Sequence, residues 1–468
     1  MNRNDLPNFN EIDTDQILPK LNHLIDTARS SLSDTLKRKP FTYDSLVALR
    51  EETEDDINKF WSPISQLQAV CNEDALREVY AKGLLEITKL QTEMDQDSEL
   101  LVAYEEIKNS SAFSELSIPK QKAITNAIKD FYLAGVNLPE SEKEKLLELK
   151  GSLSTLSTQF SNNVLDSTQV WQKVITDVSE LSGLPNNALG LMSQAASQKK
   201  LKGYLINLEI PTYLAIMTHC DNRELRKELY LAYGARSSRS GPGGEKYDNT
   251  GIISELLEKR QDLAKVLGFE NYAELSVAKK MAGSPEEILS FLRDLGGKAK
   301  PQAEEEMKLV EIHARELHGL EKIEPWDHSY YSEKLKQDLF EVSDELLRPF
   351  FPAPRVLEGM FEVARRLFEI DIEENNNFVT WHDDVLTFNI LRKGKVLASF
   401  YLDLYARENK RGGAWMAEGR VKRINLQGEK QEPVAFLTCN FSGPIGPNPA
   451  LLSHQEVVTL FHEFGHGL

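Results

Sequence analysis

Apolar residues recur at helical spacing through the first third of the chain. One run is Leu18, Leu21, Leu24, Ile25 and Leu32, and another is Ala75, Val79, Leu84, Ile87, Leu90 and Met94. From about Asp15 to Lys150 this pattern predicts successive amphipathic helices, with Pro40, Pro63, Pro119 and Pro139 at the breaks between them. Glu140 to Leu149 is dense in charge with leucines at helical intervals, so it reads as a solvated helix face. There is no fixed-period repeat and no heptad seam long enough for a coiled coil.

Between Glu180 and Ile210 the chain is richer in Gly, Ser, Asn and Pro, which predicts a join between two helical regions. It divides the chain into a helical N-terminal domain, 1–205, and a second domain, 206–468. A helix is expected from Tyr213 to Gly234, with Arg223, Arg226 and Lys227 in solvent. Ser237 to Gly244 follows as a mobile surface loop. Its glycines lack both the following Gly-Lys-Ser/Thr and the preceding strand of a phosphate cradle. Helices resume from Gly251 to Leu295, with Ser284-Pro285-Glu286-Glu287 as a helix start, and again from Ala303 to Leu317, ending at Gly319. His313 and His318 are five apart and so about 140° apart on a helix, a poor pair of ligands. They read as ordinary surface residues, as do His23, His219, His328 and His382.

Alternation suited to strands comes late. Val385–Leu391 and Val396–Leu402 flank Arg392-Lys393-Gly394-Lys395, a hairpin pattern, and Pro433–Phe441 is a third β-rich run. An exposed edge of such a sheet can hold an extended peptide through main-chain hydrogen bonds, and a sheet that only supports the next helix is an equal alternative.

That next helix, within Leu452–Leu468, carries His462-Glu463-Phe464-Gly465-His466, an HExxH motif. Ser453 and Glu456 form a capping box, and Leu452 with Val457 can staple the helix entry. Val457, Phe461, Phe464 and Leu468 make an apolar stripe, from which His462 and His466 point away. Two imidazoles four apart on one helix face can share a Zn²⁺ ion, and a glutamate beside the first can take a proton from water. His462 and His466 are therefore the candidate metal ligands and Glu463 the candidate general base. The plainer alternative is a polar helix face with two solvated histidines.

Composition narrows the function classes. At 468 residues, two or more domains are expected. The balance of 55 basic against 73 acidic residues gives a net charge of −18, which argues against a nucleic-acid surface. Cys71, Cys220 and Cys439 are sparse and form no CxxC pair, the usage of reduced thiols in the cytoplasm. The first residues lack a signal-peptide profile, and no apolar run approaches the ~20 residues needed to cross a bilayer.

Four segments resemble the thimet-oligopeptidase-like zinc metallopeptidases: Phe131–Pro139 (FYLAGVNLP), Pro325–Lys334 (PWDHSYYSEK), Phe400–Trp415 (FYLDLYARENKRGGAW) and Leu451–Leu468, with its FHEFGHGL. The resemblance implies a mainly α fold, a two-lobed clam-like shell of helices around a deep channel, with a small sheet beside the zinc helix. It implies one Zn²⁺ per chain and a monomeric endopeptidase acting on short unstructured peptides. By motif position it makes His462 and His466 zinc ligands and Glu463 the base. The third ligand it implies is a glutamate on a later helix, and the groups that bind substrate also lie later. The chain ends two residues after His466, so it is expected to be truncated within its active site, and in this form to lack activity. A non-catalytic helical shell that binds peptides or a partner is the alternative that this allows. A zinc hydrolase of non-peptide amides or esters would share the same motif.

Overall fold

A computed structural model describes residues 6–468. The first third is a run of helices, α1 (Thr14–Leu36), α2 (Ala48–Val70), α3 (Asp74–Asp95), α4 (Ser98–Asn109), α5 (Ile118–Leu133) and α6 (Glu140–Val170). Ile17, Leu21, Ile25 and Leu32 of α1 meet Ile57, Trp61 and Ile64 of α2 and Leu76, Leu90 and Met94 of α3 in one core. Three of the four prolines stand at breaks as expected, but Pro63 does not, because it lies buried inside α2. A proline there forfeits one helix hydrogen bond. The burial of its neighbours Trp61 and Ile64 keeps the helix going.

The stretch expected to be a join is folded. β1 (Gln172–Ile175) pairs antiparallel with β2 (Tyr204–Asn207), and α7 (Asn186–Gln198) lies between them in sequence. Leu181, Leu184, Met192, Ile206 and Leu208 give this unit its own core. The predicted 213–234 helix is two helices, α8 (Ile210–His219) and α9 (Arg223–Gly234). Asn222 caps the second by accepting the Leu225 N–H at 3.2 Å, a signal present in the sequence but hidden by the continuous apolar pattern.

Arg226, expected in solvent, is 1% exposed. Its guanidinium donates to the Cys220 carbonyl at 2.6 Å and to Asp327 at 3.0 Å, and lies 4.1 Å from the Tyr330 ring centre. Arg223 also pairs with Asp327, at 2.7 Å. Burial favours the neutral form of Asp327, yet hydrogen bonds from Arg223 and the Glu324 backbone hold its carboxyl below the ordinary value. The Ser237–Gly244 loop is tied to α6, since Ser167 Oγ donates to the Pro242 carbonyl at 2.8 Å and accepts from the Ser237 N–H at 2.9 Å.

Next come α10 (Thr250–Val266), α11 (Tyr272–Val277) and α12 (Pro285–His318). Two helices were expected where α12 runs unbroken through Gly296, Gly297 and Pro301. Side-chain pairs four apart, Lys298–Asp294 at 2.7 Å and Gln302–Glu306 at 2.9 Å, brace the turns on either side. Its start and stop are as predicted, with Ser284 as the cap and Gly319 left-handed at φ 61°.

α13 (His328–Phe340), α14 (Asp344–Leu347) and α15 (Ala353–Phe368) lead to a five-stranded mixed sheet. It comprises β3 (Asp371–Glu374), β4 (Leu386–Arg392), β5 (Lys395–Tyr405), β6 (Trp415–Arg420) and, after the short pair β7 (Arg423–Ile424) and β8 (Lys430–Gln431), β9 (Val434–Phe441). The strand order is β3-β4-β5-β9-β6. β4 and β5 join at the predicted turn, where Lys393 and Gly394 take positive φ of 53° and 72°. β5 and β9 are parallel neighbours in the middle of the sheet, and successive residues serve opposite faces. Phe400, Leu402, Leu404, Leu437 and Cys439 face α15 and the last helix, α16 (His454–Gly467). Tyr401 and Phe436 pack with Phe9 and Trp381 on the other side. Burial on both faces explains why these strands read as continuous apolar runs.

Candidate metal centre

α16 begins as the sequence predicted. Ser453 Oγ accepts the Glu456 N–H at 3.1 Å, and Glu456 Oε2 accepts the Ser453 N–H at 2.7 Å. Leu452 is fully buried and Val457 packs on the same core. The buried stripe differs from the expected one: Leu460 is fully buried, whereas Phe461 is 38% and Leu468 50% exposed. The helix lies on β9 and β6, and this contact surface is centred on Leu460 and Phe464.

The opposite face carries the candidate ligands. His462 and His466 are both exposed, and their Nε2 atoms lie 3.0 Å apart. Glu463 is buried, at 7% exposure, and its carboxylate forms no hydrogen bond or ion pair with the described residues. The structure thus brings the two imidazoles together, with Glu463 buried next to His462 in the same helical turn. Two ligands at ~2.0–2.1 Å from a tetrahedral ion sit roughly 3.3 Å apart, so the imidazole pair fits a Zn²⁺ ion as two of its donors. Among the described residues no third His, Cys, Asp or Glu joins them in a metal-holding group.

A cleft of about 1200 Å³ opens beside this helix. α7 and α8 form one wall, and Tyr405–Asn409 with Asn440–Pro444 form another. Gln455 and Thr459 of α16 line it, and at 3.6 residues per turn His462 and His466 continue their face within an arc of about 60°. Two histidines expected to be ordinary surface residues, His219 and His382, line the cleft as well. Burial pushes the His219 imidazole below its ordinary value. Sequence spacing could not reveal this, because His219 and His382 are 163 residues apart and come to line one cleft only in the folded chain.

One wall is held by a buried cluster. Asp403, fully buried, accepts from Arg407 twice at 2.6 Å, from Lys410 Nζ at 2.7 Å and from Trp381 Nε1 at 2.9 Å. Burial works against the Asp403 charge, but hydrogen bonds from Arg407 and the Lys410 charge keep its carboxyl below the usual range. Burial draws Lys410 down to about 8 against the pull of Asp403. Its ammonium also donates to the Asp403 and Tyr405 carbonyls. Arg407 Nη2 reaches the Val70 carbonyl at 3.3 Å, and Asn72 N–H donates to the Asn409 carbonyl at 2.9 Å, so the end of α2 is fastened to this wall.

Comparison with known proteins places these observations. The family model described as peptidase family M3 matches residues 216–468, and that described as the neurolysin/thimet oligopeptidase N-terminal domain matches residues 18–143. Oligopeptidase A of Haemophilus influenzae is 45% identical over 469 residues, covering 100% of this chain and 69% of the relative. Oligopeptidase A of Escherichia coli is 42% identical, covering 99% of this chain and 68% of the relative. The dipeptidyl carboxypeptidase of E. coli is 28% identical, with 99% and 67% covered. A solved structure titled PZ peptidase A with inhibitor 2 is similar in fold, with a TM-score of 0.51 and 14% identity, and the chain spans 63% of its length.

Proposed function

Because the chain belongs to peptidase family M3, we propose that it is a zinc-dependent endopeptidase that hydrolyses internal bonds of short unstructured peptides. The observation that carries this reading is the 3.0 Å approach of His462 and His466 Nε2 on the helix face that continues the cleft lining. Both imidazoles would hold the metal. A zinc ion, when bound, supplies a lowered water pKa, near ~7, and polarises a carbonyl. Glu463 accepts the water proton on a carboxylate oxygen and returns it to the departing amine nitrogen.

The cleft suits an extended peptide and excludes a folded domain. β6 is an edge strand, and Gly413 and Ala414 just before it line the cleft, which favours main-chain pairing with substrate. In this reading the N-terminal helices are a channel wall and the region matched by the family, 216–468, is the metallopeptidase domain, working as a monomer; the expected division at 205/206 falls inside β2. No helix of the described residues is long and apolar enough to cross a membrane. Three free thiols support a cytoplasmic location.

A second reading is favoured by the absence of a third donor group among the described residues: a non-catalytic shell that binds peptides without cutting them. A quenched fluorescent peptide separates the two. Cleavage that chelator abolishes and zinc restores supports the peptidase; saturable binding with no cleavage at any zinc concentration supports the shell.

A further inference from the structure

We propose that Arg348 is a positioning residue for the histidine pair, an inference that rests on the zinc reading above. Arg348 follows α14, outside the HExxH helix and more than 100 residues before it in sequence. Its Nη1 donates to the Leu451 carbonyl at 2.8 Å and to Glu456 Oε2 at 3.1 Å, while Nε donates to Glu345 at 2.7 Å. Both partners in the ion pair are largely shielded, with side chains 16% and 17% exposed.

Glu456 is the junction. One carboxylate oxygen accepts the Ser442 N–H at 3.0 Å, just past the end of β9, and the other accepts the Ser453 N–H and Arg348. A single side chain of α16 therefore joins the sheet, the helix cap and the α14 segment. Backbone contacts run alongside: Leu452 N–H donates to the Phe351 carbonyl at 2.9 Å and Ala353 N–H to the Ala450 carbonyl at 2.8 Å.

Packing of Leu460 and Phe464 holds α16 against the sheet, but apolar contact is non-directional. Rotation and tilt of the helix are set by the directional bonds at Glu456. His462 and His466 lie six and ten residues beyond it, about 9 and 15 Å along the axis. A swing of about 10° at Glu456 displaces the imidazoles by about 2 Å, beyond the ~0.5 Å tolerance of a working constellation. Arg348 also lines the cleft, so the wall and the ligand helix share one guanidinium.

The test compares Arg348→Met and Arg348→Lys with the wild-type chain in three measurements. These are zinc affinity by competition with a chromophoric chelator, amide hydrogen exchange along 454–466, and the thermal midpoint. Arg348→Met is expected to weaken zinc binding by about tenfold, as loss of a supporting partner does, and to speed exchange in α16 but not in α1–α6. Arg348→Lys, which keeps the charge on Glu456, recovers most of the affinity. A merely structural role lowers the midpoint and leaves the folded fraction with wild-type zinc affinity; that result overturns the proposal. If wild type takes up no zinc through His462 and His466, the zinc reading fails instead. Exchange along α16 then decides Arg348 by itself, with unchanged rates in Arg348→Met overturning the proposal.

Discussion

The Nε2 atoms of His462 and His466 approach to 3.0 Å on the exposed face of one helix, while Glu463, next to His462 in sequence, is buried. At 3.0 Å one imidazole can donate a hydrogen bond to the other, or both can face a cation. Replacing either histidine by alanine is expected to abolish zinc uptake and leave the fold intact, because both side chains are exposed. Zinc titration followed by calorimetry, with circular dichroism as the control, checks this. Undiminished binding in either variant would remove the pair from the metal site.

Glu463→Gln separates holding the metal from moving the proton. The variant keeps both imidazoles, so zinc affinity should match wild type, while peptide hydrolysis falls by about 10²–10⁴-fold. Single-turnover cleavage of a quenched peptide with bound zinc quantified in parallel provides the readout. Retained turnover would refute the role of Glu463.

Leu460 and Phe461 test which face of α16 is packed. Leu460→Ala empties a fully buried site and should cost about 2–5 kcal/mol. Phe461→Ala changes a ring that is 38% exposed, and should stay near the ±0.5 kcal/mol of ordinary surface changes. Urea denaturation of the two variants orders them, and the reverse order would mean the helix is rotated from the orientation described.

Asp403→Asn leaves Arg407 and Lys410 without their shared carboxylate. Breaking such a buried pair costs about 3–5 kcal/mol, read as a lower urea midpoint. The pH dependence has a definite sign. Asp403 titrates below the ordinary 3.8 in the folded chain, so the unfolded chain binds its proton more readily. The stability it contributes is complete above 3.8 and disappears as pH falls through the folded value. Between pH 5 and 3 the wild-type midpoint should therefore drop more steeply than that of Asp403→Asn; parallel slopes would contradict the linkage.

Much of the local structure was legible because its causes are local. The α16 capping box, the Ser284 and Gly319 ends of α12 and the Lys393-Gly394 hairpin turn each depend on residues within one or two turns of chain. The misreadings share a cause too. Pro63 and the Gly296–Pro301 stretch looked like breaks, since propensity counts the lost hydrogen bond but not the packing or side-chain pairs that outweigh it. Arg226 looked solvated because its carboxylate partner, Asp327, is 101 residues away.

From the sequence alone came the helical architecture, the late sheet, and the identity and spacing of His462, Glu463 and His466, since periodicity and i,i+4 geometry act within a few residues. Only the tertiary structure decided which side of α16 is buried, which histidines meet the cleft, and how Arg348 reaches Glu456. Those relations bring together groups far apart along the chain, and burial and directional hydrogen bonds between them exist only once the sheet, α14 and α16 are packed.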